Sequence, residues 1–331
     1  MKSKPLLKVD NLQVRITVPG GVVRPLNSVS FQIRAGKVLG LVGESGCGKT
    51  ITCLSLAGLM NGPGIEVTGN VELNGRNILD LPLQKMRAVR GMELAMIMQN
   101  PMSSFNPLVT VGRHFTETIR SHSPASEREA RQTALDYLRR AGLPDPGRVM
   151  EQYPFQLSGG MLQRVMIAIA MSMRPSVLLA DEPTTSLDAT LRVQILGQIA
   201  LLLKEYNTGA LLVCHDLGVI AQLADEVAVM YCGYIVEMAP AAELFDSPLH
   251  PYTRALMASR AGMKKKRLSP VGGQPPSLLN LSDTCPFLER CAEVERACLD
   301  YRMEPGILSG GHLVRCANYG ANRRKVLKGL A

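Results

Sequence analysis

Between an apolar run at 38–42 and a second apolar stretch at 51–59 lie eight residues, Gly43-Glu44-Ser45-Gly46-Cys47-Gly48-Lys49-Thr50. They fit G-x-x-x-x-G-K-[ST], and their flanks read as a buried strand followed by a helix. Gly43, Gly46 and Gly48 let the backbone curl until its N–H groups point inward. The positive end of the following helix adds to that field, which makes a cradle for anions. In such a loop Lys49 reaches terminal phosphates, and the Thr50 hydroxyl can ligate Mg²⁺.

Upstream, apolar and polar residues alternate at Leu7, Val9, Leu12, Val14 and Ile16, and again at Val29, Phe31 and Ile33. This predicts strands of an antiparallel layer, broken at Pro19-Gly20-Gly21 and Ala35-Gly36 and continued by 67–73 with the Asn74-Gly75 turn. From about 79 to 173 the texture becomes helical. Within it, 96–99 is a short apolar strand ending at Gln99, and Asn100-Pro101 forces a loop. Residues 127–141 have helical spacing, with Pro144 and Pro146 as the stop. The methionines Met96, Met98 and Met102 read as core.

Leu157-Ser158-Gly159-Gly160 precedes an apolar helix over 161–173, with Ser158 as its N-cap. The glycines leave its first N–H groups uncovered, a second anion-seeking helix end. No cradle lies beside it in sequence, so its phosphate must come from elsewhere. A buried strand at 177–180 runs into Asp181-Glu182-Pro183. There the first carboxylate suits Mg²⁺, and the second can polarise an attacking water. Ser186-Leu187-Asp188 opens a helix over 190–204. A strand at 210–213 ends at Cys214-His215-Asp216, where ligand sites gather in parallel α/β folds. Residues 227–231 and 234–237 form a hairpin around Gly233, and a short helix begins at His250-Pro251-Tyr252-Thr253. A basic linker over 261–276 leads to a cysteine-bearing tail.

The chain has 331 residues and a formal net charge of +9, with no tryptophan and 4% aromatic residues. The charge admits nucleic acid or an anionic membrane face as partners. The scarcity of aromatics argues against single-stranded nucleic acid bound by stacking. The basic runs at 264–267 and 323–325 read as solvated segments. No stretch has the 18 apolar residues of a membrane helix, and the N-terminus lacks a signal peptide's apolar region. The expectation is therefore a cytoplasmic protein with reduced cysteines. Cys47, Cys53, Cys214 and Cys232 are scattered, and Cys47 is expected to be exposed in its loop.

Taken in order, these pieces resemble the ATP-binding subunit of an ABC transporter over roughly residues 5–245. The set comprises the phosphate loop GESGCGKT (43–50), the Q-loop Gln99 in MIMQNP and the signature LSGGMLQR (157–164). It continues with VLLADEP holding Asp181 and Glu182, the D-loop SLD (186–188) and the switch His215. FNPLVTVG, YPFQLSGGMLQR, HPYTRAL and the tail cysteines narrow the resemblance to the dipeptide, oligopeptide and nickel importer family. The fold implied is α/β: a P-loop ABC-type domain over 1–245, with a RecA-like core, an antiparallel β layer and a helical subdomain at about 90–170. A small cysteine-containing extension occupies 246–331.

The resemblance implies an ATPase coupled to import of di- or oligopeptides, with a nickel or metal-chelate importer as the alternative. It implies ATP and Mg²⁺ as ligands, with Gly43, Glu44, Ser45, Gly46, Cys47, Gly48, Lys49 and Thr50 around the phosphates. Mg²⁺ would be organised by Thr50, Gln99 and Asp181. Glu182 would be the general base, assisted by Gln99, and His215 would stabilise the γ-phosphate. Leu157, Ser158, Gly159, Gly160 and Asp188 would complete a partner's pocket. The family usually carries an aromatic near position 16 to stack on adenine, and here Ile16 stands in its place. The implied partners are a second homologous ATP-binding subunit (a heterodimer before a homodimer), two permease subunits and an extracytoplasmic solute-binding protein. The location implied is the cytoplasmic face of the membrane. Nucleic acid is not expected. An ABC-type ATPase acting on nucleic acid is the competing class, but such proteins carry long insertions between the motifs, and this chain does not.

The tail cysteines are spaced Cys285-x5-Cys291-x6-Cys298-x17-Cys316. Four soft ligands in a small reduced segment suggest a metal site. The resemblance implies a [4Fe–4S] cluster there, and zinc and unligated thiols are the alternatives.

Overall fold

The computed structural model describes residues 4–185, 187–259, 272–308 and 311–319. The basic runs at 264–267 and 323–325, and Ser186 of the D-loop, lie outside the described residues. The chain divides into two compact units interleaved in sequence. One holds 1–7, 32–38 and 72–213, and the other holds 8–31, 39–71 and the chain from 214 onward.

The unit bearing the glycine-rich loop contains, numbered along the whole chain, β1 (Leu7–Val18), β2 (Gly21–Ile33), β3 (Val38–Val42) and β4 (Ile65–Leu73). It also holds α1 (Lys49–Leu56), α8 (Leu217–Leu223), β9 (Glu226–Tyr231), β10 (Tyr234–Pro240), α9 (Ala241–Asp246), α10 (Pro251–Ala258), β11 (Gly306–Ile307) and β12 (Leu313–Val314). Strands β2, β1 and β4 lie side by side in one sheet. Alternation buries Val9 and, after a one-residue shift at the left-handed Asn11 (φ 52°), Leu12 and Val14 from β1, with Val29 and Phe31 from β2. In the second sheet β3 runs parallel to β9, with Gly40 opposite Val227. β9 turns into β10 through Cys232 and Gly233, both left-handed at φ 44° and 80°, as a two-residue hairpin loop requires. β12 then pairs antiparallel with β10, Glu237 opposite Val314, and β11 with β12. The C-terminal extension thus adds two short strands to the edge of this sheet.

The helical unit contains β5 (Arg76–Asn77), α2 (Leu83–Val89), β6 (Leu94–Ile97), α3 (Val111–His122), α4 (Glu127–Arg140), α5 (Pro146–Glu151), α6 (Gly159–Ser172), β7 (Val177–Asp181), α7 (Ala189–Tyr206) and β8 (Gly209–Val213). β6, β7 and β8 are parallel neighbours. Every residue of β7 and β8 is buried, which is why both read as unbroken apolar runs. α4 opens on a capping box, Ser126 with Glu129. It ends at Arg140 and the left-handed Gly142, φ 77°, ahead of either proline. Pro146 instead occupies the first turn of α5, which Asp145 caps. Met102 also departs from expectation: it is 45% exposed, and Met96 and Met98 are half-buried rather than core.

Candidate active site

In the loop-bearing unit, the backbone between β3 and α1 is left-handed at Gly43, Gly46 and Gly48, with φ of 156°, 78° and 115°. A Cβ on Gly43 would lie 2.2 Å from the Met230 carbonyl oxygen, and one on Gly48 would lie 2.6 Å from that of Pro25. Neither position tolerates a side chain. α1 begins without a side-chain cap, which leaves its first N–H groups to other acceptors. Lys49 is 4% exposed, and its Nζ donates to the carbonyls of Gly43 and Glu44, each at 2.9 Å. Ser45, Gly46 and Thr50 are exposed. Curled amides, a lysine and an uncapped helix start form a donor set that fits a polyphosphate.

Cys47 corrects an expectation: it is buried, and burial raises its thiol above the ordinary value, which disfavours the reactive thiolate. Ile16 is half-buried on β1. His215 is exposed, next to Asp216, which caps α8 by accepting from the Gly218 N–H at 2.7 Å.

In the helical unit, Asp181 ends β7 and is buried. Glu182 follows, 6% exposed and left-handed at φ 48°. A non-glycine residue held there is strained, and such strain persists only where the surroundings fix it. Its N–H donates to the Val213 carbonyl at 3.0 Å. Its carboxylate Oε2 accepts from Gln99 Nε2 at 2.8 Å and from Thr185 Oγ1 at 2.9 Å. The structure therefore brings together two of the expected catalytic residues, 83 positions apart in sequence. Gln99, Thr50 and Asp181 carry oxygen donors of the hard type that Mg²⁺ takes.

The signature also lies in this unit. Leu157 is buried, and Ser158 caps α6 by accepting from the Met161 N–H at 3.3 Å. Ser158 and Gly159 are exposed, and a Cβ on Gly159 would meet nothing within 4 Å. Gly160 is packed instead, since its Cβ would fall 2.2 Å from Leu191 Cδ2. Asp188 caps α7, accepting from the Leu191 N–H at 2.9 Å.

The expectation of an iron–sulfur cluster is overturned. Among the described residues no group of three or more His, Cys, Asp and Glu side chains is placed to hold a metal ion. Cys285, Cys291, Cys298 and Cys316 line a small cavity with His250, Pro251, Phe287 and Val294 among its walls. Burial pushes Cys285 and Cys316 up to about 11, so they stand as neutral thiols at neutral pH.

Three residues near the site escaped the reading of the sequence. Thr185 holds Glu182, as above. Tyr252 and Arg290, both from the extension, hold Glu44 of the glycine-rich loop. Tyr252 sits inside the HPYTRAL element, which could have signalled it. Arg290 carries no local signal.

Two family models match the chain: "ABC transporter" over residues 26–185 and "Oligopeptide/dipeptide transporter, C-terminal region" over 236–298. The dipeptide transport ATP-binding protein DppD of Bacillus subtilis is 40% identical over 316 residues, covering 94% of each chain. The oligopeptide transport ATP-binding protein OppD of Salmonella typhimurium is 40% identical over 295 residues, 88% of each. Among solved structures, the ATP-binding cassette MJ0796, dimeric in a post-hydrolysis state with ADP and Pi, superposes with a TM-score of 0.64 at 25% identity. That match covers 71% of this chain and 98% of that one. Among the described residues no helix is long and apolar enough to cross a membrane. The fold is that of a P-loop ABC ATPase, and the chain belongs to the ABC transporter ATP-binding proteins, in their oligopeptide and dipeptide branch.

Proposed function

We propose that this chain is the ATP-hydrolysing subunit of an importer for di- and oligopeptides, held peripherally at the cytoplasmic face of the membrane. The observation that carries the reading is relatedness at about 40% identity, over nearly the whole chain, to ATP-binding proteins of peptide transporters. The match of the C-terminal region to the oligopeptide and dipeptide model favours peptides over nickel as cargo. Two permease subunits and an extracytoplasmic solute-binding protein complete the machine. A second homologous ATP-binding subunit, as a heterodimer, supplies the other half of each nucleotide pocket.

Each residue's work follows from its chemistry. Lys49 and the loop amides from Gly43 to Thr50 hold phosphate oxygens, and Ile16 offers adenine an apolar contact instead of a stacking ring. Thr50, Gln99 and Asp181 would hold Mg²⁺, which neutralises charge on the phosphates when bound. Glu182 takes the proton of the attacking water. Gln99 and Thr185 aim its carboxylate, and His215 stabilises the γ-phosphate. The Ser158–Gly160 end of α6, exposed at Ser158 and Gly159, offers N–H groups to a triphosphate held by the partner, with Leu157 and Asp188 completing that half of the pocket. ATP then joins the pair, and its hydrolysis releases them, a two-state device that can drive transport.

The test is reconstitution with two permease subunits and a solute-binding protein. Uptake of labelled dipeptide should require ATP and be blocked by Glu182→Gln. Stimulation by a nickel chelate instead would move the cargo to the alternative. Salt-dependent binding to nucleic acid with no permease association would replace the transporter reading altogether.

A further inference from the structure

We propose that the C-terminal extension is a clamp on the nucleotide loop and that Arg290 is a positioning residue for ATP binding. The inference rests on the reading that the loop around Lys49 binds ATP, and it adds a control of that site from 246 residues away in sequence.

The clamp has two arms, and both close on Glu44. Arg290 meets the Glu44 carboxylate fork to fork, with Nη1 to Oε2 and Nη2 to Oε1 each at 2.8 Å. Tyr252, fully buried, accepts the Glu44 backbone N–H on its hydroxyl at 2.9 Å. One arm fixes the side chain and the other fixes the main chain. The peptide unit so fixed, Gly43–Glu44, is one that Lys49 uses, since its Nζ rests on the Gly43 carbonyl as well as on that of Glu44.

The extension is built to hold this arginine. The Arg290 side chain is 4% exposed. Its Nε donates to the Gly272 carbonyl at 2.7 Å, and Nη1 also donates to the Tyr231 hydroxyl at 3.0 Å. Its guanidinium carbon lies 5.6 Å from the ring centre of Tyr231 and 5.7 Å from that of Phe287. Tyr231, Tyr252 and Phe287 pack against one another at 4.6, 5.3 and 5.4 Å. All three nitrogens of the guanidinium are therefore spoken for, in a geometry lysine cannot reproduce.

Charge gives the clamp its effect on nucleotide. A carboxylate in the second position of a phosphate cradle repels the ligand the cradle is made for. The Arg290 fork neutralises that charge. Removing Arg290 leaves the charge in place, half-buried and unmatched, beside the phosphates.

The experiment measures ATP affinity of the full chain by calorimetry, and KM and kcat in the assembled transporter. Arg290→Met is expected to weaken ATP binding about tenfold, the size of one charge-assisted pair, with the loss falling on KM more than on kcat. Adding Glu44→Gln to it should recover most of the affinity, because the uncompensated charge is then gone. Arg290→Lys should fall between wild type and Arg290→Met. A merely structural role for the extension would give no such rescue. Unchanged affinity in Arg290→Met, or a double variant as weak as the single one, overturns the clamp. Should Arg290→Met fail to fold, Tyr252→Phe carries the test. It removes only the oxygen that receives the Glu44 N–H and is expected to weaken ATP about fivefold, the scale of a neutral hydrogen bond; no change would overturn the proposal. Lys49→Ala separates the two readings. If it abolishes binding while Arg290→Met does nothing, only the clamp falls. If it too binds normally, the nucleotide loop itself was misread.

Discussion

Glu44 in the loop-bearing unit and Glu182 in the helical unit are both drawn out of water, and they are held in opposite ways. Glu44 is gripped by a charged, bidentate arginine. Glu182 is aimed by two neutral donors, the Gln99 amide and the Thr185 hydroxyl, both on Oε2. Charge-assisted bonds are roughly twice as strong as neutral ones. The first arrangement suits a part that must stay in place while a ligand comes and goes. The second suits a group that must take up a proton and pass it on. The backbone makes the same distinction: Glu182 sits strained at φ 48°, beside a buried Asp181, whereas the turns around Glu44 are made by glycines.

The largest way to break that comparison is to neutralise Glu182. Glu182→Gln keeps the shape and both donors within reach but cannot take a proton. Hydrolysis should fall by at least about a hundredfold, the usual scale for losing a general base, while ATP binding persists. Single-turnover hydrolysis in the assembled transporter is the measurement. Near-normal turnover would move the base elsewhere and leave Glu182 a structural carboxylate like Glu44.

A second test bears on the clamp side, through pH. His250 is buried at the N-cap of α10, where its Nδ1 accepts the Tyr252 N–H at 3.0 Å. Burial drives it down from 6.5 to about 4, against the attraction of Glu237. A histidine whose folded value is depressed stabilises the fold above its unfolded value, and that contribution is lost as pH falls from 6.5 towards 4. The loss is roughly 3 kcal/mol at completion, and it strikes the helix that carries Tyr252. His312 works in the other direction. Hydrogen bonding to Glu237, and then to Glu243, raises it, so its contribution is present below 6.5 and fades as pH rises through its folded value. For Glu237, burial pushes the carboxyl up. Bonds from His312, Leu249 N–H and His250 N–H outweigh that and hold it below the ordinary value, so its own loss comes at lower pH. Thermal unfolding of the full chain, followed by tyrosine fluorescence, should therefore decline between about pH 6.5 and 4. His250→Asn, which can still cap but cannot titrate there, should flatten that decline.

The two sides also differ in how legible they were. The loop from Gly43 to Thr50 declares itself because its demands are local: left-handed turns, a lysine and a helix start, all within eight residues. Asp181-Glu182 and Ser158-Gly159-Gly160 are legible for the same reason, each set by one strand end or one helix cap. The Gln99–Glu182 contact needed only the family order of motifs. The clamp needed tertiary closure across more than two hundred residues, which no spacing encodes. The cysteines show the converse error. Their number and clustering suggested ligands, but ligation needs side chains gathered around one point, which spacing does not encode, and among the described residues no such group is found. Cys47 misled in the same manner, since a loop position does not imply exposure.

The smallest expected effect sharpens the comparison most directly. Thr185 contributes one neutral hydrogen bond to Glu182 Oε2 at 2.9 Å. Thr185→Val keeps the shape and removes this donor, while the Gln99 bond to the same oxygen remains. A net hydrogen bond of about 1 kcal/mol corresponds to about a fivefold change. The expected result is a fall of that size in kcat with little change in KM, because the bond orients the base and does not touch ATP. If Thr185→Val instead raised KM as Arg290→Met is expected to, Glu182 would be acting on nucleotide binding, and the division of labour between the two carboxylates would be lost. If turnover fell a hundredfold, Thr185 would be doing more than aiming, and Glu182 would need a fixed grip as firm as that on Glu44.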